Sequence, residues 1–323
     1  MSPSFGPEPP RPDSGRGLGL VLVLATALIS GVSTFVNLYA VQGTSSDAFV
    51  TVRNVAVALA LVPVALLAAR PGRRPLGRGD LGRLIFIGIV GGGIPFLLFF
   101  HGLELATAAG GGLTASFLYR TLFSLATLFG IVVLGERLRG WVVLAGLLVL
   151  GGNLLLLSLT SAVWTDGSGL VLLATLLWAV EYTVSKRALR DLPSPTVALG
   201  RMGFGALFLV GYLAGTGQLA AVGALGPAAW SWVGVSAVLL TGFVVTWYAG
   251  LERVELGTAT TVLVLGFPVT WLLAVAIRGA PFLLVEALGA VTVALGVLLA
   301  VGADRARAAW DVLRSGAYRR PTA

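Results

Sequence analysis

Of the chain's 323 residues, 57% are hydrophobic and only 11% are charged, against about 25% charged in ordinary soluble domains. So few charges cannot cover a soluble surface. The net charge of +8 is spread over short loops between apolar runs, which argues against a basic nucleic-acid-binding domain. The absence of cysteine and the single histidine, His101, exclude disulfides, thiolate metal sites and multi-histidine centres, so no metal and no cofactor are expected.

Residues 1–17, with their Pro, Gly and Arg, read as a disordered tail. The apolar run after them is too long for a signal-peptide core and lacks a clear cleavage site, so it reads as a retained first span. Apolar runs bounded by charge, Pro or Gly then predict ten transmembrane helices. They lie at 18–40, 48–69, 84–103, 109–134, 141–160, 168–187, 195–216, 229–250, 256–277 and 282–302. Residues 303–323 form a basic tail, in which Trp310, Val312 and Leu313 among arginines suit the surface of an anionic inner leaflet. Much Ala, Gly, Leu and Arg with a single Lys fits a GC-rich bacterial genome, and hence the plasma (inner) membrane.

The basic residues orient these spans. With a cytoplasmic N-terminus, the inner segments hold Arg11, Arg16, Arg70, Arg73, Arg74, Arg78, Arg83, Arg137, Arg139, Lys186, Arg187, Arg190 and Arg253, then Arg305, Arg307, Arg314, Arg319 and Arg320. The outer loops hold Arg278 alone. The positive-inside rule therefore predicts that both termini are cytoplasmic.

The chain also repeats itself at an offset of 148 residues. Arg53-x4-Ala-Leu-x-Leu-Val recurs from Arg201, and Gly102–Leu103–Glu104 recurs as Gly250–Leu251–Glu252. Five spans per half is an odd number, so the halves 18–160 and 161–302 are expected to cross the membrane in opposite senses. The predicted fold is all-α, with ten transmembrane helices as two inverted five-helix repeats, a recurring device of transporters.

Ionisable residues inside spans are costly and draw a functional reading first. On the sixth helix Trp178, Glu181, Tyr182 and Ser185 share one face, and Ser30, Ser33, Thr34 and Asn37 form the matching stripe on the first. Polar stripes in lipid must face protein or water. Ser33, Thr34, Asn37, Trp178, Glu181 and Tyr182 are therefore expected to surround one substrate cavity with Arg120. Interhelical hydrogen bonding in a packed bundle is the plainer alternative. Arg120, with Phe117, Thr121 and Ser124 at helical spacing, either binds a solute carboxylate or phosphate or neutralises Glu181. If solute draws Arg120 away, Glu181 would take up a proton, which makes it the proton-coupling candidate. Arg53 and Arg201 suit structural roles near opposite interfaces. Glu104 and Glu252 end helices at opposite sides and suggest gating. Glu136 suits a loop-fixing role, and His101 lies near the outer mouth. Gly91–Gly92–Gly93 and Gly110–Gly111–Gly112 follow no strand and carry no P-loop lysine. They read as close helix approaches, so energy must come from a gradient.

Further residues resemble a known group, the EamA-type members of the drug/metabolite transporter superfamily. They are Ser30–Gly31, Arg53, Arg201, Trp178–Ala179 with Lys186, Leu134–Gly135–Glu136–Arg137–Leu138 followed by Gly146 and Gly151–Gly152, and Pro268. Two departures stand out. Arg120 occupies the place of Pro268, and Arg278–Gly279–Ala280 stands where a second Gly-Glu belongs. The resemblance implies a carrier, more often an exporter, that moves a small metabolite or amino-acid-like solute by alternating access, with membrane lipid as its other partner. The competing class is a membrane-embedded enzyme acting on lipid head groups. It is disfavoured because no Asp, Glu or His cluster lies at the cytoplasmic interface.

Overall fold

A computed structural model describes residues 13–40, 45–68, 75–109, 118–136, 140–156, 164–279 and 281–317. The described residues form helices and connections only. In chain order the helices are α1 Asp13–Ala40, α2 Ser46–Leu67, α3 Arg78–Ile87, a π-helical stretch Gly88–Gly93, α4 Ile94–Ala108, α5 Leu122–Leu134 and α6 Gly140–Leu156. After them come α7 Asp166–Ala188, α8 Ser194–Gly215, α9 Ala220–Gly223, α10 Pro227–Leu251, α11 Leu256–Leu263, α12 Gly266–Arg278 and α13 Leu284–Ala317.

Among the described residues, eight helical stretches are long and apolar enough to cross a bilayer, so this is an all-α multi-pass membrane protein. Leu118–Leu134 and Val143–Leu156 are shorter apolar helices. The remaining parts of those two expected spans, 110–117 and 157–160, lie outside the described residues. Three spans run beyond their expected bounds: the first helix already begins at Asp13, the third span extends from Arg78 to Ala108, and the last helix runs on into the basic tail to Ala317.

The breaks have local causes. The expected span 256–277 is interrupted at Val264–Leu265, where Val264 N bonds Thr261 O and Leu265 N bonds Val262 O in tight three-residue turns. Pro268 lacks the N–H that would have reached the Val264 carbonyl, and Phe267 N takes that carbonyl instead. A similar tight turn, Thr121 N to Leu118 O, precedes α5. Both α5 and α12 have 13 residues, and each ends on a left-handed glycine, Gly135 at φ 72° and Gly279 at φ 63°.

Small residues bring the helices together, as lipid-embedded packing requires. The heaviest pairings are α6 with α13, α1 with α10, α4 with α7, and α2 with α8. Between α6 and α13, a Cβ at Gly152 would overlap the Gly289 carbonyl, and one at Gly289 the Gly152 carbonyl. Gly102 and Gly167 oppose each other in the same way between α4 and α7.

Candidate functional site

The site is organised by the glycines that precede α4. A Cβ at Gly92 would overlap the Arg201 carbonyl, one at Gly88 would overlap Phe204, and Gly205 of α8 has room only for hydrogen against Gly92. The close approach coincides with the π-helical turn Gly88–Gly93. Such a turn takes carbonyls out of the regular helical ladder. Here they accept from side chains. Trp178 Nε1 donates to the Gly91 carbonyl at 3.0 Å, Arg201 Nη2 donates to the same oxygen at 3.3 Å, and Asn54 Nδ2 donates to the Gly92 carbonyl at 3.1 Å. Asn54 in turn accepts from Nε and Nη2 of Arg53, both at 3.1 Å. One glycine-made irregularity thus positions one tryptophan and two arginines.

In front of these groups lies a cavity of about 1480 Å³. Ser30, Ser33, Thr34 and Asn37 of α1 line it together with Arg53, Arg120, Trp178, Tyr182 and Arg201. Its apolar wall is aromatic. The Trp178 ring has Phe96 at 5.4 Å, Tyr119 at 5.4 Å and Phe99 at 5.5 Å between centroids. The Arg53 guanidinium lies over Phe96 at 5.0 Å. Arg120 lies against the Phe267 ring, and its Nη1 is shielded from solvent without a hydrogen-bond partner. The cavity reaches exposed residues at one end, Ser45, Ala108 and Arg278. Beside them Asp47 Oδ2 stands 3.3 Å from His101 Nε2, with Glu104 also in the wall.

Glu181 departs from the expected arrangement. It is fully buried and does not line the cavity. Its Oε1 accepts from Tyr248 Oη at 2.7 Å and from Ser185 Oγ, and its Oε2 lies 3.7 Å from Arg201 Nη2. Gly91 leaves the space that its side chain occupies. The partner of Glu181 is therefore Arg201, and of the two roles open to Arg120 the pairing with Glu181 is not formed. The shared helical face predicted for α7 divides at this point. Trp178 and Tyr182 turn to the cavity, while Glu181 and Ser185 turn to α8 and α10. Arg53 and Arg201 are each 3% exposed, so neither snorkels to an interface. Tyr248, Asn54 and the Phe96, Phe99, Tyr119 wall were not singled out in the sequence. The one available signal was Trp247–Tyr248, an aromatic pair inside an apolar run.

The opposite end of the bundle is tied together by polar contacts. The Glu136 carboxylate accepts from Leu256 N at 2.7 Å and Gly257 N at 3.1 Å, and so caps the start of α11. Lys186 Nζ donates to the carbonyls of Leu251 and Val254, each at 2.6 Å, at the end of α10. Arg187 Nη2 donates to the Val133 carbonyl at 2.6 Å. Glu252, expected as the counterpart of Glu104, pairs with Arg253 at 3.2 Å and lies outside the cavity lining. Among the described residues, no group of three or more His, Cys, Asp or Glu is placed to hold a metal ion.

The sequence pattern of the EamA-like transporter family matches residues 17–158 and again residues 166–302. A putative permease-like protein of Bacillus subtilis (strain 168), YdzE, is 38% identical over 73 residues, which are 23% of this chain and 88% of that protein. A solved crystal structure superposes with a TM-score of 0.68 over 89% of this chain and 98% of its own, at 18% identity, and so shares the fold.

Proposed function

The chain belongs to the EamA-like transporter family, and from that premise we propose that it is a secondary carrier moving a small metabolite by alternating access through the Arg120 cavity. Family membership and the permease-like relative point to transport, not to head-group chemistry. The observation that carries the finer reading is a large cavity holding a shielded, unpaired cation, reaching exposed residues at one end of the bundle and bounded by cross-chain ties at the other. Such a shape is one half of an alternating cycle.

Two inverted five-helix halves support that cycle. The family pattern matches each half separately. The pairs α2 with α8 and α6 with α13 join corresponding helices of the two halves. The thirteen-residue helices that end at Gly135 and Gly279 are spaced 144 residues apart, four fewer than the offset of the earlier helices. In this register Arg120 corresponds to Val264, and the matching of Arg120 with Pro268 is replaced. With the arginine-rich loops inside, the Ser45–Arg278 end of the cavity faces outward and the Glu136–Lys186 end is cytoplasmic. Both termini are then inside, and the ties at Glu136, Lys186 and Arg187 must open for release to the other side.

The chain contains no cysteine, so single cysteines are unambiguous reporters. Thr34→Cys should react with a membrane-impermeant thiosulfonate added outside intact cells, and Ser46→Cys and Gln218→Cys should do so faster. Labelling of all three only after permeabilisation would reverse the orientation. A Thr34→Cys protein that is inert from both sides would remove the cavity pathway.

A further inference from the structure

The charges of the cavity are one-sided. Among its lining residues the acidic side chains are Asp47 and Glu104, toward the Ser45 end with His101; Asp47 is buried there, its Oδ2 3.3 Å from His101 Nε2 and its Oδ1 without a hydrogen-bond partner. Asp47 lies six residues before Arg53 on α2, about 9 Å along the helix axis. Deeper in, Arg201 is matched by Glu181, whereas Arg53 and Arg120 have no carboxylate partner among the described residues. Glu181 is not available to a ligand, since its Oε1 is occupied by Tyr248 and Ser185 and it is fully buried. Glu286, on the last span, accepts from Trp271 Nε1 at 2.9 Å and is absent from the lining. The residues between 41 and 302 that lie outside the description contain no Asp or Glu.

On the carrier reading above, we propose that this cavity selects organic carboxylates with an apolar, ring-bearing body and no ammonium group. The carboxylate lies on Arg120, whose planar donor fork matches two oxygens. The body lies on the Phe96, Phe99, Tyr119 and Trp178 wall, where offset and edge contacts between rings are favourable. An amino acid fits worse. Its ammonium is one carbon from its carboxylate and so shares the surroundings of Arg120. Beside Arg120 it meets a cation and no carboxylate, in a region where exposed charge is poorly solvated. The hydroxyls of Ser30, Ser33 and Thr34 offer it hydrogen bonds, but not charge compensation. The amino-acid-like solute expected from the resemblance is thereby replaced by its deaminated counterpart.

The test is a matched panel binding to the purified full chain, read by isothermal titration: 3-phenylpropanoate, phenylalanine, 3-phenylpropanamide and 2-phenylethylamine. The acid should bind at least about 10-fold more tightly than phenylalanine, with the amide weaker still and the amine without measurable binding. Arg120→Gln should weaken the acid by about 10- to 100-fold, the range of a charge-assisted hydrogen-bonded contact, and Arg120→Lys should recover part of it. Phenylalanine binding as tightly as the acid, or more tightly, would overturn the assignment on the wild-type protein alone, whatever the variants' folding. So would binding of the amine, or no binding by any panel member. Thr34→Cys labelling then separates the two readings. A cysteine reachable from both sides leaves the carrier intact with a different solute, and an inert one removes both.

Discussion

Arg201 and Arg120 are both arginines in apolar helices, yet their surroundings make them different kinds of group. Arg201 stands 3.7 Å from Glu181 and donates to the Gly91 carbonyl, while Glu181 is held by Tyr248 and Ser185. Arg120 has an aromatic ring on one side, the cavity in front of it and no carboxylate partner among the described residues; a shielded N–H without an acceptor is common to both, at Nη1 of Arg120 and at Nε and Nη1 of Arg201. A buried charge whose counter-ion is supplied by the fold belongs to the structure. One whose counter-ion is missing leaves that place to a ligand.

The sharpest break in this comparison is Arg201→Ala. It strips a buried carboxylate of its cation, and removing one member of a buried pair costs about 3–5 kcal/mol. Its thermal unfolding in detergent should drop accordingly, with Arg201→Met/Glu181→Met recovering much of the loss. An Arg201→Ala protein as stable as wild type would show that the pair is incidental. Gly92→Ala follows, because its Cβ meets the Arg201 backbone and forces α8 away from the π turn. A loss of about 1–3 kcal/mol is expected in the same assay, together with weaker solute binding through the shared carbonyls.

Smaller again is Glu136→Ala, which leaves two backbone N–H groups of α11 uncapped. Charge-assisted bonds of this type contribute about 1.5–3 kcal/mol each to buried donors, and less where water can replace the carboxylate, as at this partly buried site. Its clearer readout is access. Thr34→Cys should become more reactive from the cytoplasmic side in the Glu136→Ala background, and unchanged reactivity would show that the cap does not hold that end closed. The smallest stability effect belongs to Arg120→Gln. Unfolding should stay within about 0.5 kcal/mol of wild type or become slightly more favourable to the fold, because no counter-ion is stranded. A destabilisation like that of Arg201→Ala would place Arg120 in the same structural class and dissolve the contrast.

The composition alone determined that this chain lives in a membrane, because so few charges leave no other solvent for its surface. Apolar run lengths placed the helices to within a few residues over most of the chain, and helical spacing brought Ser33, Thr34, Asn37, Trp178 and Tyr182 to one side of their helices. Spacing could not decide between Glu181 facing the cavity and Glu181 facing Tyr248. Positions 178, 181, 182 and 185 span a face wide enough to touch three neighbours, and which neighbour each meets depends on crossing geometry. The partner of Glu181 was likewise out of reach: the sequence offered Arg120 for that role and placed Arg201 near an interface, and the pairing with Arg201 depends on packing. Only the tertiary structure made that choice, by a local cause: glycines at 88 and 91–93 let α8 close against a π turn, and that contact carries Arg201 to Glu181 and leaves Arg120 in the cavity without a carboxylate.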